Sequence, residues 1–272
     1  MKKLSFFVGL VVLLLGLLWI GPNTKPPKNT LVIGASNIPH AQILRHVAPE
    51  LKKRGVNLDV KVFQDYVMPN RALQGKELDV NYFQTIAFLK QWNRQNHGHL
   101  VNCGSVHLEP IAIYSKKVHR LADLKPHSKV LVSDNAPDYG RILQLFAKAG
   151  LIKVKSGVPL DQATFNDVVK NPKHLVFKHS YEPKLLPEIY KNGEGDAVAI
   201  NSNYAVQSGL NPQRDSIAYE KATRDSPYNN VIASRHGNRN NPKIKKLLRV
   251  LHSKATRRWI RKKYKSGVVP VK

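Results

Sequence analysis

Apolar and polar positions along the chain change period repeatedly, and each change marks an element. Residues 31–35 (LVIGA) form an unbroken apolar run of strand length. Behind it, Leu44, Val47, Ala48 and Leu51 recur at helical spacing within residues 41–54, and Gly55 closes that helix. Residues 58–63 are strand-like again, so strand, helix and strand predict a βαβ unit in a parallel sheet. A short helix over 69–73, a turn at Gly75 and a strand over 78–81 follow, and Phe83-Gln84-Thr85 opens a helix reaching residue 96. Residues 106–115 are apolar enough to cross from one folded unit to another. The same alternation then resumes: strand 129–132, helix 141–149 with Ile142, Leu145, Phe146 and Ala149 on one face, and a helical stretch at 165–169. Strand 175–178, helix 185–190 and strand 197–200 complete it.

The pattern echoes itself. In 75–81 and again in 193–198 a helix stops at glycine and an aspartate, Asp79 or Asp196, opens a buried strand. Two ordinary helix-to-strand turns would look like this, and so would two related lobes that each aim a strand end at a shared cleft. In open α/β sheets, ligands sit at such strand ends. The last helix has Asn241 as N-cap and Pro242 in its first turn. It places Ile244, Leu247, Leu248, Leu251, Ala255 and Trp259 on one face, and Lys245, Lys246, Arg249, Arg257, Arg258, Arg261 and Lys262 on the other.

Charge changes the picture of the surface. Lys+Arg total 44 against 18 Asp+Glu, a formal net charge of +26 over 272 residues, and no acidic residue follows Asp225. Such a surface favours an acidic partner, either an anionic membrane or nucleic acid. The membrane has independent support. Residues 4–20 (LSFFVGLVVLLLGLLWI) are apolar behind Lys2 and Lys3, a length of roughly 25 Å as a helix. This reads as an export signal or a retained N-terminal anchor, with the rest of the chain outside the cytoplasm. No Ala-x-Ala cleavage pattern and no cysteine follow the apolar run, so a peptide anchor is expected rather than a lipid one. Residues 23–29 are a Pro- and Lys-rich linker, and the folded part starts near Thr30. Cys103, the single cysteine, is expected to be a structural thiol.

Catalytic signatures are absent: there is no G-x-S-x-G, P-loop, G-x-G-x-x-G or H-E-x-x-H, so the chain is read as a binding protein without enzymatic activity or cofactor. His97, His99, Cys103 and His107 offer metal donors within eleven residues but fall on a turn and a strand that do not converge, so no metal is expected. Asp134 and Asp138 sit in a Pro- and Asn-rich loop and are read as turn-capping residues.

Four blocks carry a family resemblance. They are Asp65-Tyr66-Val67 through Phe83-Gln84; Pro110-Ile111-Ala112 with Tyr114-Ser115-Lys116-Lys117; residues 134–157 with Gly140-Arg141; and residues 201–209 followed by Ser226-Pro227-Tyr228 and Asn230. Together they resemble the NlpA lipoprotein family, the methionine-binding substrate-binding proteins of ABC transporters. The resemblance implies an α/β, two-lobed periplasmic-binding-protein fold of type II-like topology. One lobe would be built from residues 30–111 plus 229–272 and the other from 112–228, after an N-terminal segment of 1–29. It also implies partners, an ABC permease and its ATPase. Tyr66 and Phe83 would wall the methionine side chain, Arg141 would hold its carboxylate, and Asn201 and Asn230 would fix its backbone groups with Tyr228 close by. Two pocket positions depart from the family pattern: Thr85 replaces a histidine and Phe88 a tyrosine. Methionine or a close amino-acid analogue is the expected ligand. A sensing or scaffold protein of the same fold stays open as an alternative, and so does a polyanion binder using the basic C-terminal helix. Nucleic acid is disfavoured, since Trp259 and Tyr264 are the aromatic residues interleaved with that basic run.

Overall fold

The computed structural model describes residues 27–221 and 225–271. The apolar segment 4–20 and most of the linker lie outside the described residues. Among the described residues no helix is long and apolar enough to cross a membrane.

Two mixed sheets organise the chain. The first contains β1 (Thr30–Ser36), β2 (Asn57–Phe63), β3 (Val80–Thr85) and β4 (Leu100–Leu108), together with the late strands β12 (Asn229–Arg235) and β13 (Val269–Pro270). Its order is β13-β4-β12-β3-β1-β2. The second is built from β5 (Ala112–Tyr114), β6 (Lys129–Ser133), β9 (Val176–Tyr181), β10 (Ala197–Ile200) and β11 (Ala218–Tyr219), in the order β11-β5-β10-β6-β9. A small hairpin joins β7 (Lys153–Val154) to β8 (Val168–Lys170).

The sheets repeat one plan. β1 is parallel to both β2 and β3, as β6 is to β9 and β10. β12 then runs antiparallel to β3, as β5 does to β10. The aspartates noted in the sequence occupy matching places. Asp79 donates its N–H to the Val32 carbonyl at 2.9 Å and accepts the Val32 N–H on Oδ2 at 2.9 Å. Asp196 does the same with Lys129, at 2.8 and 2.7 Å. Each aspartate thus pairs with the neighbouring parallel strand one residue before β3 or β10 begins. The echo is a structural repeat of the two lobes.

Burial follows from this plan. β1 is buried along nearly its whole length, as a central parallel strand must be. One face of the first sheet is covered by the helices Gln42–Lys53, Pro242–Leu251 and Lys254–Tyr264, whose Leu44, Val47, Leu247, Leu251 and Ile260 join Ile33 and Val80 in one core. The other face is covered by Met68–Gln74 and Ile86–Asn96. The second sheet has its own core around Ile142, Phe146 and Val132.

Three expectations need correction. β3 runs from Val80 to Thr85, so Tyr82, Phe83 and Gln84 belong to the strand and not to the next helix. The expected helical stretch at 165–169 is a single turn, Phe165–Asp167, followed by the strand β8, whereas the 106–115 run crosses between the sheets as expected, with β4 in the first, β5 in the second and Glu109-Pro110-Ile111 between them. The basic C-terminal helix is two helices. Ser253 leaves helical geometry and accepts the Thr256 N–H at 3.2 Å, which starts the second at Lys254. This break rotates the register: Val250, Thr256, Ile260 and Tyr264 are buried, whereas Ala255 is exposed and Trp259 stacks on His46 at 4.0 Å, half covered.

Candidate functional site

The site lies where the C-terminal ends of β3 and β10 meet the crossing at Glu109. A motif in the sequence explains how it is held. Asn70 on the helix Met68–Gln74 and Asn81 and Gln84 on β3 are all buried and bond to one another: Gln84 Nε2 to Asn70 Oδ1 at 2.7 Å and to Asn81 Oδ1 at 2.9 Å, and Asn70 Nδ2 to Gln84 Oε1 at 2.9 Å. Asn81 Nδ2 also reaches Asn70 Oδ1 and the Pro69 carbonyl. This amide cluster clamps the helix onto the strand. The loop before the helix is fixed by Asp65, whose Oδ1 accepts the N–H groups of Val67 and Met68 at 2.7 Å each. Tyr66 is thereby aimed inward, and its hydroxyl donates to Asn203 Oδ1 on the other lobe at 2.8 Å.

A small cavity of about 30 Å³ lies between the lobes. One end is aromatic. The rings of Tyr66, Phe83 and Phe88 lie 5.7–6.3 Å apart, centre to centre. The other end is polar and is formed by Glu109, Asp138, Arg141, Asn201 and Asn230.

Arg141 is 3% exposed and nearly saturated. Nε donates to Asp138 Oδ1 at 2.9 Å, Nη2 contacts the same oxygen at 2.7 Å, and Nη1 donates to the Glu109 carbonyl and to Glu220 Oε2, each at 3.1 Å. Of the five guanidinium hydrogens, one on Nη2 has no partner among the described residues. Burial works against the charge, but Asp138 and Glu220 outweigh it and hold the guanidinium protonated. Its plane lies over the Tyr228 ring, 4.6 Å from the centroid. Asp138 Oδ2 accepts the amides of Asn201 at 2.7 Å and Asn135 at 2.5 Å.

Behind Glu109 is a buried histidine pair. His107 Nε2 donates to Glu109 Oε1 at 2.7 Å, and His40 Nε2 lies 3.2 Å from the same oxygen and 2.9 Å from Asn230 Oδ1. The far nitrogens are taken by Tyr82, which donates to His107 Nδ1, and by Ser36, 2.6 Å from His40 Nδ1. Burial lowers His40 to about 4 and His107 to about 3, so both rings are neutral and donate from Nε2. His40, His107 and Glu109 bring donor atoms within 4.8 Å and could in principle hold a metal ion. Neither histidine lines the cavity, and all four ring nitrogens have hydrogen-bond partners, so the cluster is a hydrogen-bonded network. His107 joins His40 rather than His97 or His99. Cys103 pairs with Ser234 Oγ at 3.1 Å.

Of the residues singled out in the sequence, Tyr66, Phe83, Thr85, Phe88, Arg141, Asn201 and Asn230 line the cavity together. Tyr228 does not. It is fully buried beneath Arg141, and its hydroxyl donates to the Leu160 carbonyl at 3.1 Å. Thr85 caps the helix Ile86–Asn96, accepting the Phe88 N–H at 3.1 Å. Sequence reasoning missed Glu109, Asn203 and the true part of Asp138, which is 1% exposed and holds Arg141 rather than a turn. A lone acid inside an apolar crossing was the one available signal for Glu109.

The sequence profile of the NlpA lipoprotein family matches residues 31–272. The methionine-binding lipoprotein of Bacillus subtilis is 46% identical over 245 residues, covering 90% of this chain and 89% of that protein. A nutrient-binding protein from Burkholderia cenocepacia, solved bound to methionine, superposes with a TM-score of 0.82 at 34% identity, covering 88% of this chain and 99% of the other. A periplasmic substrate-binding protein of an ABC transporter from Coxiella burnetii superposes with a TM-score of 0.81 at 32% identity, covering 88% and 99%. The fold, its cavity and these matches agree, and the chain belongs to the NlpA lipoprotein family.

Proposed function

We propose that this protein is the extracytoplasmic substrate-binding component of an ABC importer, enclosing methionine or a close amino-acid analogue between its lobes and delivering it to a membrane permease driven by an ATPase. One observation carries the reading: a single cavity joins a three-ring aromatic wall to a buried arginine that keeps one hydrogen for an incoming carboxylate. Tyr66, Phe83 and Phe88 surround the thioether, each sulfur–ring contact contributing about 0.3–1.5 kcal/mol. Arg141 and the Nδ2 of Asn230 take the carboxylate. Asn201 offers an amide oxygen, and Tyr228 positions Arg141 from below. Thr85 narrows the aromatic end without supplying the imidazole that the family pattern has there.

The lobes are residues 30–111 with 229–272, and 112–228. The Tyr66–Asn203 hydrogen bond is one of the contacts that would close and reopen with ligand. Residues 4–20 tether the protein to the cytoplasmic membrane as a peptide anchor. The basic C-terminal helices, with no acid after Asp225, favour the anionic membrane surface beside it. Binding, not catalysis, is the task of the site.

A thermal-shift panel of the proteinogenic amino acids tests the reading. Ligand at 100 times its Kd stabilises by about 2.7 kcal/mol, and methionine is expected to give the largest shift. A panel in which no amino acid moves the melting temperature would sink the proposal.

A further inference from the structure

The two C-terminal helices carry cations that no acid meets. Lys245 and Arg249 lie one turn apart on Pro242–Leu251, and Arg257 and Arg261 one turn apart on Lys254–Tyr264, so each pair makes a stripe along its helix. Arg258 stands beside the second stripe. Among the described residues, none of these side chains has an ion pair or a hydrogen bond, and no acid follows Asp225 to offer one. Arginines elsewhere on the surface do find acids: Arg54 pairs with Glu50, Arg120 with Asp123 and Arg214 with Asp215. Arg249 and Arg257 also line an open groove beside β4, floored by Gly104 and Ser105 with the half-buried Ile86, Leu248 and Val271. His252 Nε2 donates to the Ser105 carbonyl at 2.7 Å and pins the helix end there. Arg257 Nε is buried at this groove and has no hydrogen-bond partner among the described residues. A buried donor left without an acceptor costs free energy that an incoming anion recovers. Lys90 adds a cation to the groove, 3.6 Å from Asp161, and Asp225 is the one acid among the lining residues. The chain enters the fold at the other end of the same helix: Lys243 Nζ, in the first turn of Pro242–Leu251, donates to the Thr30 carbonyl at 2.9 Å.

We propose that these two helices form a docking face for acidic phospholipid, with Arg249 and Arg257 taking a headgroup phosphate in the groove and the apolar floor receiving the carbons next to it. The proposal rests on the membrane tether inferred above and deepens it by naming the face that meets the bilayer. Guanidinium groups bind phosphate in bidentate geometry, and each Lys or Arg close to an anionic surface strengthens attachment by about fivefold. That attraction fades within a Debye length, about 8 Å at physiological salt, so the face must be held near the lipid. The tether does this: seven residue steps from residue 20 to residue 27 reach roughly 25 Å at most, and the fold begins against the first turn of the basic pair of helices. A weak face then suffices, because the tether makes its contact intramolecular. Nucleic acid fits less well. Trp259 is stacked on His46 and Tyr264 is buried, so neither ring is presented to a base.

Cys103, the single cysteine, lines the groove and serves as the reporter. The test places the full chain in lipid nanodiscs of phosphatidylcholine, alone or with about 30% phosphatidylglycerol, and measures the rate at which N-ethylmaleimide alkylates Cys103. Wild-type protein is expected to react at least about fivefold more slowly on the anionic discs, and about 0.5 M salt is expected to erase the difference. The double variant Arg249→Glu and Arg257→Glu is expected to lose the protection. The control pair Lys125→Glu and Lys148→Glu, exposed lysines in the part of the chain that forms the second sheet, carries the same change in net charge and is expected to keep it. Equal wild-type rates on the two kinds of disc overturn the proposal, whether or not the variants fold. Protection that survives in the arginine variant, or that the control pair loses equally, also overturns it. Inorganic phosphate over phosphatidylcholine discs is expected to protect nothing, and protection there would assign the groove to a soluble anion and overturn lipid docking. A chain that joins neither kind of disc overturns the tether reading and the proposal together, whereas equal rates on discs that it does join overturn the proposal alone.

Discussion

Replacing Arg141 with lysine keeps the charge and removes the geometry, and the structure sets the size of the effect. The guanidinium serves Asp138 through Nε and Nη2, and the Glu109 carbonyl and Glu220 through Nη1, while resting on Tyr228. A lysine ammonium has three hydrogens on one centre. It can satisfy Asp138 or Glu220 well but cannot span both carboxylates, the carbonyl and a ligand. Losing one charge-assisted contact in a site 3% exposed costs about 1.5–3 kcal/mol, and a carboxylate left without its partner raises that toward the 3–5 kcal/mol of a broken buried ion pair. A melting temperature lower by roughly 5–10 °C follows for a protein of this size. The ligand loses the one hydrogen that Arg141 holds in reserve, so methionine affinity should fall by about 10- to 100-fold. Calorimetric titration gives the second number and thermal denaturation the first. An Arg141→Lys protein that binds methionine within threefold of wild type would refute the assignment of Arg141 to the ligand carboxylate, whatever its stability.

Other consequences can be measured independently. Thr85→Ala removes the cap that receives the Phe88 N–H, so unfolding free energy measured by urea titration should drop by about 1 kcal/mol; an unchanged midpoint would show the cap to be idle. Gly140→Ala places a Cβ 1.7 Å from the Leu160 carbonyl oxygen, which also receives the Tyr228 hydroxyl. It should destabilise by about 1–3 kcal/mol, and a wild-type melting curve would contradict that packing. Stability should fall as pH drops from about 6.5 toward 4. In that window the unfolded chain protonates His40 and His107, whereas burial holds them neutral in the fold, at about 4 and about 3. Each contributes up to about 1.4 kcal/mol per pH unit, and Glu109, pushed upward by burial, opposes part of it. A melting temperature that stays flat from pH 7 to pH 5 would contradict a buried neutral pair.

The lobe plan was legible because it rests on local signals. Apolar runs, helical spacing and the Gly-then-Asp openings at Asp79 and Asp196 are written within a few residues of one another. Boundaries were less legible. β3 continues through Tyr82-Phe83-Gln84 because its pairing with β12 is a contact between residues some 150 positions apart. Ser253 could have been read as a second N-cap, but the apolar spacing across it still looked continuous, and Ala255 and Trp259 were placed on a face they do not occupy. In the site, Arg141 stood out beside Gly140 as part of a family block. Its burial could not be read, since that depends on Glu220 and on the Glu109 carbonyl arriving from elsewhere in the chain. Glu109 was hidden for the same reason: its meaning comes from His40 and His107, which the fold alone brings to it.

The central claim is that the cavity between the lobes is a methionine site. Isothermal titration of the full chain with L-methionine, and in parallel with D-methionine and norleucine, tests it most directly. Saturable 1:1 binding of methionine, with norleucine weaker because it lacks the sulfur–ring contacts of Tyr66, Phe83 and Phe88, is the predicted result. No heat and no saturation with either enantiomer of methionine would contradict it.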